Sequence, residues 1–227
     1  MDVDSSWRVI ASERRSLADL LEQLTDEQWE TPSLCAGWRV RDVAAHIAMV
    51  PTAPGLLAMA RGAAAAHGNF NRLNHDLAVQ HARRPSTDIV AELRRAADSR
   101  RLPSITSVTN LGFDILVHGQ DIAIPLGVTR PMPTDAAAGG AARVWAMGWP
   151  FWARRRLHGY RLTATDANWS AGAGAEVHGP IDALLLLLTG RPAALTRLTG
   201  DGAHSLRERT GVTRDWVNVR RHPPRSV

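Results

Sequence analysis

Prolines partition the first half of this 227-residue chain and limit where its helices can run. A proline inside a helix removes a hydrogen bond and clashes with the preceding turn. Between the prolines, apolar residues recur at helical spacing. Residues 7–24 carry Trp7, Ile10, Leu17, Leu20, Leu21 and Leu24. Thr25 with Gln28 three residues on reads as a capping box for a short helical turn. Pro32 and Gly37 bracket a loop. A helix over 40–50 follows, with Asp42 in its first turn, where a carboxylate suits the positive helix end. Pro51 and Pro54 close it. The pattern predicts further helices over 56–66 and 70–83, one that starts at Pro85-Ser86-Thr87-Asp88 and ends at Pro103, and one over 108–124. Pro125 and Gly127 stop the last of these.

Pro131 and Pro133 extend that break, and the texture changes beyond it. We place a domain boundary there, giving residues 1–128 and 129–227. A helix is expected over 134–147, weakened at Gly139-Gly140. Residues 161–164 alternate in polarity as a strand does. Residues 168–170 and 176–178 read as two strands paired with each other around Gly172 and Gly174. Pro180 starts an almost wholly apolar helix over 181–188 that ends at Gly190. Residues 195–198 read as one more strand, and the tail from Val219, with its arginines and prolines, as mobile. The expected class is α+β: an N-terminal helical bundle followed by a small α/β C-terminal domain.

Hydrophobic residues make up 44% and charged residues 22%, an ordinary globular balance. Such a length supports a core without disulfide bonds. Cys35 is the one cysteine, so no intrachain disulfide forms, and a reducing cytoplasm is the expected setting. The acidic, polar start of the chain has none of the marks of an export signal. The longest apolar run, 184–188, falls far short of the roughly 20 residues that a membrane span requires, so no membrane partner is expected. The net charge of +5 raises the question of nucleic acid. All the basic residues are arginine and none is lysine, and alanine is abundant. That points to the codon usage of a GC-rich genome, and no nucleic-acid partner is expected.

Two histidines stand apart. His67, His75, His81, His158, His204 and His222 lie in polar or loop-like stretches and read as solvated. His46 and His118 each sit in an apolar helical context, where a buried imidazole must hydrogen-bond or bind a metal to offset its desolvation. Asp114 precedes His118 by four residues, which puts both on one helix face. That pair with His46 from another helix makes three ligands of a tetrahedral divalent-metal site. The fourth position stays open, as in catalytic zinc centres. The plainer alternative is a buried hydrogen bond between Asp114 and His118. Asp121 could fix the His118 tautomer from behind.

Ser33-Leu34-Cys35-Ala36-Gly37-Trp38-Arg39-Val40-Arg41-Asp42-Val43-Ala44-Ala45-His46 resembles the LCxGWxVxDVxxH signature of the mycothiol-dependent maleylpyruvate isomerase family, part of the DinB-like superfamily. Val117-His118-Gly119-Gln120-Asp121-Ile122 with Leu126-Gly127 is similar to that family's VHxxDxxxxLG segment. Thr189-Gly190-Arg191 and Leu198-Thr199-Gly200-Asp201-Gly202 are similar to its C-terminal pattern. The resemblance implies a DinB-like four-helix bundle whose zinc is held by a histidine, a glutamate and a second histidine. These fall on His46, Asp114 and His118, with aspartate, one methylene shorter, in the glutamate's place.

The resemblance further implies a zinc-dependent enzyme with mycothiol as thiol cofactor and a small electrophile as substrate. A thiol bound to zinc is deprotonated. It can add to an activated double bond, allow rotation and leave, which is isomerisation, or attack and stay attached, which is S-transfer. The alternative is a non-catalytic metal- or thiol-binding protein. Arg191 is the candidate to hold a substrate carboxylate through bidentate bonds, unless it is a helix-end or surface arginine. Cys35 is either a fourth metal ligand or, our preference, a residue packed in an apolar loop. Trp145, Trp149 and Trp152 either line a cleft between the domains or serve in packing.

Overall fold

The computed structural model describes residues 1–52, 70–102 and 106–211. The helix expected over 56–66, the stop at Pro103, the histidines His67 and His222, and the tail from Val219 lie outside these residues.

Helices dominate the first part. They are α1 (Val3–Glu22), the one-turn α2 (Asp26–Trp29), α3 (Val40–Met49), α4 (Phe70–His81), α5 (Ser86–Arg95) and α6 (Val108–Leu126). Their apolar stripes supply the buried side chains: Ile10, Leu17 and Leu21 of α1, Val43 of α3, Ile89 and Leu93 of α5, and Ile122 of α6 are all at 0% exposure. α3 packs against both α4 and α5. The Thr25 capping box forms in full: the Thr25 hydroxyl accepts from Gln28 N at 3.3 Å, and Thr25 N donates to the Gln28 side chain at 2.9 Å.

α6 ends differently from the sequence expectation. Pro125 lies inside its last turn, and the helix continues to Leu126. The stop is made by Gly127, at φ +71°. Gly127 N donates to Ile124 O at 3.0 Å and Val128 N to Ala123 O at 2.9 Å. This is a Schellman ending, which needs a residue with left-handed backbone.

The C-terminal part holds α7 (Thr134–Ala146), the short α8 (Ala153–Arg156), strands β1 (Tyr160–Ala164), β2 (Ser170–Gly172) and β3 (Ala175–Gly179), α9 (Ile181–Leu188) and α10 (Asp201–Thr210). Seven of the eight α9 residues are buried, and α9 packs on α7. With its mostly helical content and small mixed sheet, the chain has the α+β architecture expected.

The strand pairing corrects the sequence reading. β2 and β3 do not pair with each other; β1 lies between them, antiparallel to β2 and parallel to β3. The connection over Gly172-Ala173-Gly174 passes round the start of β1 so closely that no side chain fits. A Cβ at Gly172 would stand 2.3 Å from Tyr160 O, and one at Gly174 2.0 Å from Gly159 O. The central place buries Leu162 fully and satisfies both edges of β1.

The strand expected over 195–198 is also absent. Pro192–Arg197 form a 3₁₀ helix. Pro192 suits a first helical position, and Arg207 donates to the Leu195 and Leu198 carbonyls at 3.0 and 2.9 Å. Extended pairing begins only at Thr199, which bridges His178.

By internal packing the chain falls into two compact units. One takes the described residues of Trp7–Val108 and His118–Val128; the other takes Met1–Ser6, Thr109–Val117 and the described residues of Thr129–Val227.

Candidate metal centre

His46 lies on the second turn of α3, and two devices fix that helix. The Asp42 carboxylate accepts from Arg39 N at 2.8 Å, from Arg39 Nε at 2.9 Å and from Arg39 Nη2 at 3.0 Å. It thus caps the helix start while forming a bidentate ion pair, at 1% exposure for the residue. The hydrogen bonds to Asp42 raise the Arg39 guanidinium above its ordinary value, against the opposing effect of burial. Buried Val43 and Ile47 anchor the helix, so His46, at 8% exposure, is carried inward.

His118 lies on α6, 9% exposed. Its Nδ1 is 2.8 Å from Asp121 Oδ2, and Asp121 is fully buried. With Nδ1–H donating to the carboxylate, the Nε2 lone pair is left to face elsewhere. Trp38 orients both imidazoles: its ring stacks on His118 at 6.3 Å between centroids and 14° between planes, and meets His46 edge-on at 5.4 Å. The His46 and His118 rings are 4.9 Å apart.

Asp114, one turn before His118 on α6, completes a set. One ligand atom from each of His46, Asp114 and His118 lies within 4.8 Å of the others. Donors around a tetrahedral zinc stand about 3.4 Å apart, given bonds of about 2.0–2.2 Å. Small side-chain rotations would bring this set within reach of one ion, and the donor chemistry, two imidazoles and a carboxylate, suits zinc.

Cys35 is not in the apolar packing that the sequence suggested. Its Sγ donates to Asp121 Oδ2 at 3.0 Å and lies 3.7 Å from His118 Nδ1. The loop that carries it is tightly specified. Ser33 N and Ser33 Oγ both donate to Trp38 O at 2.9 Å, Trp38 N donates to Cys35 O at 3.0 Å, and Gly37 takes φ +80°. Pro125 positions this loop from a distance along the helix. Having no N–H, it leaves the Asp121 carbonyl without its helical donor, and Leu34 N donates there instead at 3.1 Å. The proline that periodicity marked as a helix stop is also a docking point for the loop.

Arg191 stands just past the end of α9. Gly190 (φ +86°) makes the turn, Arg191 N donates to Leu186 O at 2.8 Å, and its Nη1 donates to Thr189 O at 2.7 Å. Arg156 reaches the same helix end, donating to Leu188 O at 2.7 Å. Trp149 and Trp152 are 53% and 51% exposed, and Arg154 lies over the Trp145 ring. Three histidines read as solvated have partners: His75 faces Trp38 at 6.1 Å between ring centroids, His81 pairs with Glu92 at 2.8 Å, and His204 pairs with Glu208 at 3.5 Å. Sequence reasoning read Asp42 as a charge suited to the helix start but not its pairing with Arg39, and it missed Trp38 as an organiser of the centre, for which the signal was its place in the motif that ends at His46.

Residues 10–103 match the family model described as the mycothiol maleylpyruvate isomerase N-terminal domain. No significant match is found among curated proteins. Two similar solved structures are of a mycothiol-dependent maleylpyruvate isomerase, at 13% identity, and of a histidine-to-alanine mutant of one, at 12%. Each aligns over 89% of this chain and 94% of the other, with a TM-score of 0.61. At that identity the likeness establishes a shared fold. Residues 10–103 are thus similar to the mycothiol maleylpyruvate isomerase N-terminal domain, and the chain shares the fold of the solved maleylpyruvate isomerase structures.

Proposed function

We propose that this protein is a zinc-dependent enzyme that uses mycothiol to isomerise a small electrophilic substrate or to transfer the thiol onto it. The reading rests above all on the convergence of His46, Asp114 and His118 ligand atoms within 4.8 Å. The family match, which spans His46, and the shared fold support the thiol chemistry. Zinc bound by these residues supplies a positive centre that keeps a thiol deprotonated at neutral pH.

The chain's own residues set up that centre. Asp121 holds the His118 proton on Nδ1, so that Nε2 can face the ion. Trp38 restricts both imidazoles. Arg191 is assigned the substrate's carboxylate, because a planar guanidinium binds it in a bidentate way. None of these residues is the nucleophile, which the thiol cofactor brings.

Elemental analysis of protein purified without chelator tests the site. About one zinc per chain is expected, lost in His46→Ala and in His118→Ala. Full metal content in both variants would overturn the assignment. Consumption of mycothiol with a panel of electrophiles tests the activity. A zinc-loaded protein inert to the whole panel would favour the non-catalytic binder.

A further inference from the structure

Behind His118 lies a second set of donors. Cys35 Sγ, His118 Nδ1 and Asp121 Oδ2 have ligand atoms within 4.8 Å of one another. Sulfur to carboxylate oxygen is 3.0 Å, nitrogen to the same oxygen 2.8 Å, and sulfur to nitrogen 3.7 Å. Around a tetrahedral ion with bonds of about 2.3 Å to sulfur and about 2.0–2.2 Å to nitrogen and oxygen, these separations come to about 3.4–3.6 Å. The sulfur–nitrogen edge already fits, and the two oxygen edges need to open by about half an ångström. One rotation of the Asp121 carboxylate does both. The Cys35 loop is anchored through its backbone, at Ser33, Trp38 and the Asp121 carbonyl. Its sulfur is therefore presented to this place by the loop, independently of the Asp121 side chain.

We propose that Cys35, His118 Nδ1 and Asp121 form a second cation site, selective for a thiophilic metal ion and mutually exclusive with the His46–Asp114–His118 site. The selectivity follows from the thiolate, which favours soft or borderline ions and gives little to magnesium or calcium. The exclusivity follows from the imidazole they share. A neutral imidazole carries one N–H. Ligation through Nε2 keeps that proton on Nδ1, donated to Asp121. Ligation through Nδ1 puts it on Nε2 and removes His118 from the first site. A thiophilic ion thereby ejects the resident metal as the His118 proton moves from Nδ1 to Nε2 and the Cys35 thiol releases its own proton to solvent, without competing for His46 or Asp114. The proposal rests on the first site as read above.

Cadmium is the probe, because sulfur-to-cadmium charge transfer gives an ultraviolet band that nitrogen and oxygen ligands do not. Cadmium added to the zinc-loaded protein should produce the band and release zinc in equal amount, read with a zinc indicator. His46→Ala, which disables only the first site, should keep the band. Cys35→Ser should lose it while retaining the wild-type far-ultraviolet circular dichroism, since serine can still donate to Asp121. A band lost in His46→Ala would overturn the proposal, because Cys35 would then be completing the first site. So would a band in Cys35→Ser, no band in the wild type, or a cadmium band formed with zinc retained. Failure of the proposed function reads separately, as wild-type zinc content unchanged by His46→Ala.

Discussion

Asp121 shows how much one residue can carry in this protein. It has zero exposure, and its side chain meets both the His118 Nδ1 and the Cys35 thiol. Its backbone carbonyl, released by Pro125, receives Leu34 N–H. A carboxylate behind a metal-binding imidazole fixes its tautomer and raises its basicity, and its loss typically costs about 10–100-fold in metal affinity. On the proposed site, Asp121→Ala should therefore weaken zinc binding by that factor, measured by competition with a chromophoric chelator. An unchanged affinity would show that Trp38 alone orients His118. The sequence showed Asp121 at the right spacing but not its second partner. Cys35 is 86 residues away along the chain, and only the missing N–H of Pro125 explains why its loop docks there.

At the scale of elements, legibility follows how local the physics is. Helices whose caps and stripes lie within their own residues were readable: the Thr25 box and the α9 run ending at Gly190 formed as expected. The pairing of β2 and β3 with β1 was not, because it depends on Gly172 and Gly174 touching the carbonyls of residues 160 and 159. The glycine pair in α7 looked uniformly weak in the sequence, yet its two members differ. A Cβ at Gly139 meets nothing within 4 Å, whereas at Gly140 it would stand 2.8 Å from Phe113 Cβ and 3.3 Å from Leu185 Cδ2. Gly139→Ala should stabilise by up to ~1 kcal/mol through helix propensity. Gly140→Ala should destabilise by roughly 1–3 kcal/mol, because a backbone-fixed Cβ cannot yield. Urea unfolding of the two variants checks this, and equal midpoints would mean that α7 does not approach α6 and α9 as closely as described.

Across the whole molecule, charge sets how stability responds to acid. The chain carries +5 at neutral pH with histidines neutral, so every carboxylate that protonates adds to self-repulsion. Glu92 of α5 is placed to resist this. Burial alone would push its carboxyl up, but the hydrogen bond and charge of His81, at the end of α4, and those of Arg84 outweigh it and hold it below the ordinary carboxylate value. A carboxyl with a lowered folded-state pKa binds fewer protons than in the unfolded chain. Its contribution is then complete above the unfolded value, and is lost as the pH falls through the folded one. Glu92→Gln should therefore cost roughly 1–2 kcal/mol at neutral pH, the worth of a partly buried charge-assisted bond. The gap to the wild type should close once the pH drops below the ordinary carboxylate range. Denaturant unfolding at a series of pH values reads that gap directly. A gap that stayed constant down to strong acid would assign Glu92 a packing role only, with His81 and Arg84 as bystanders.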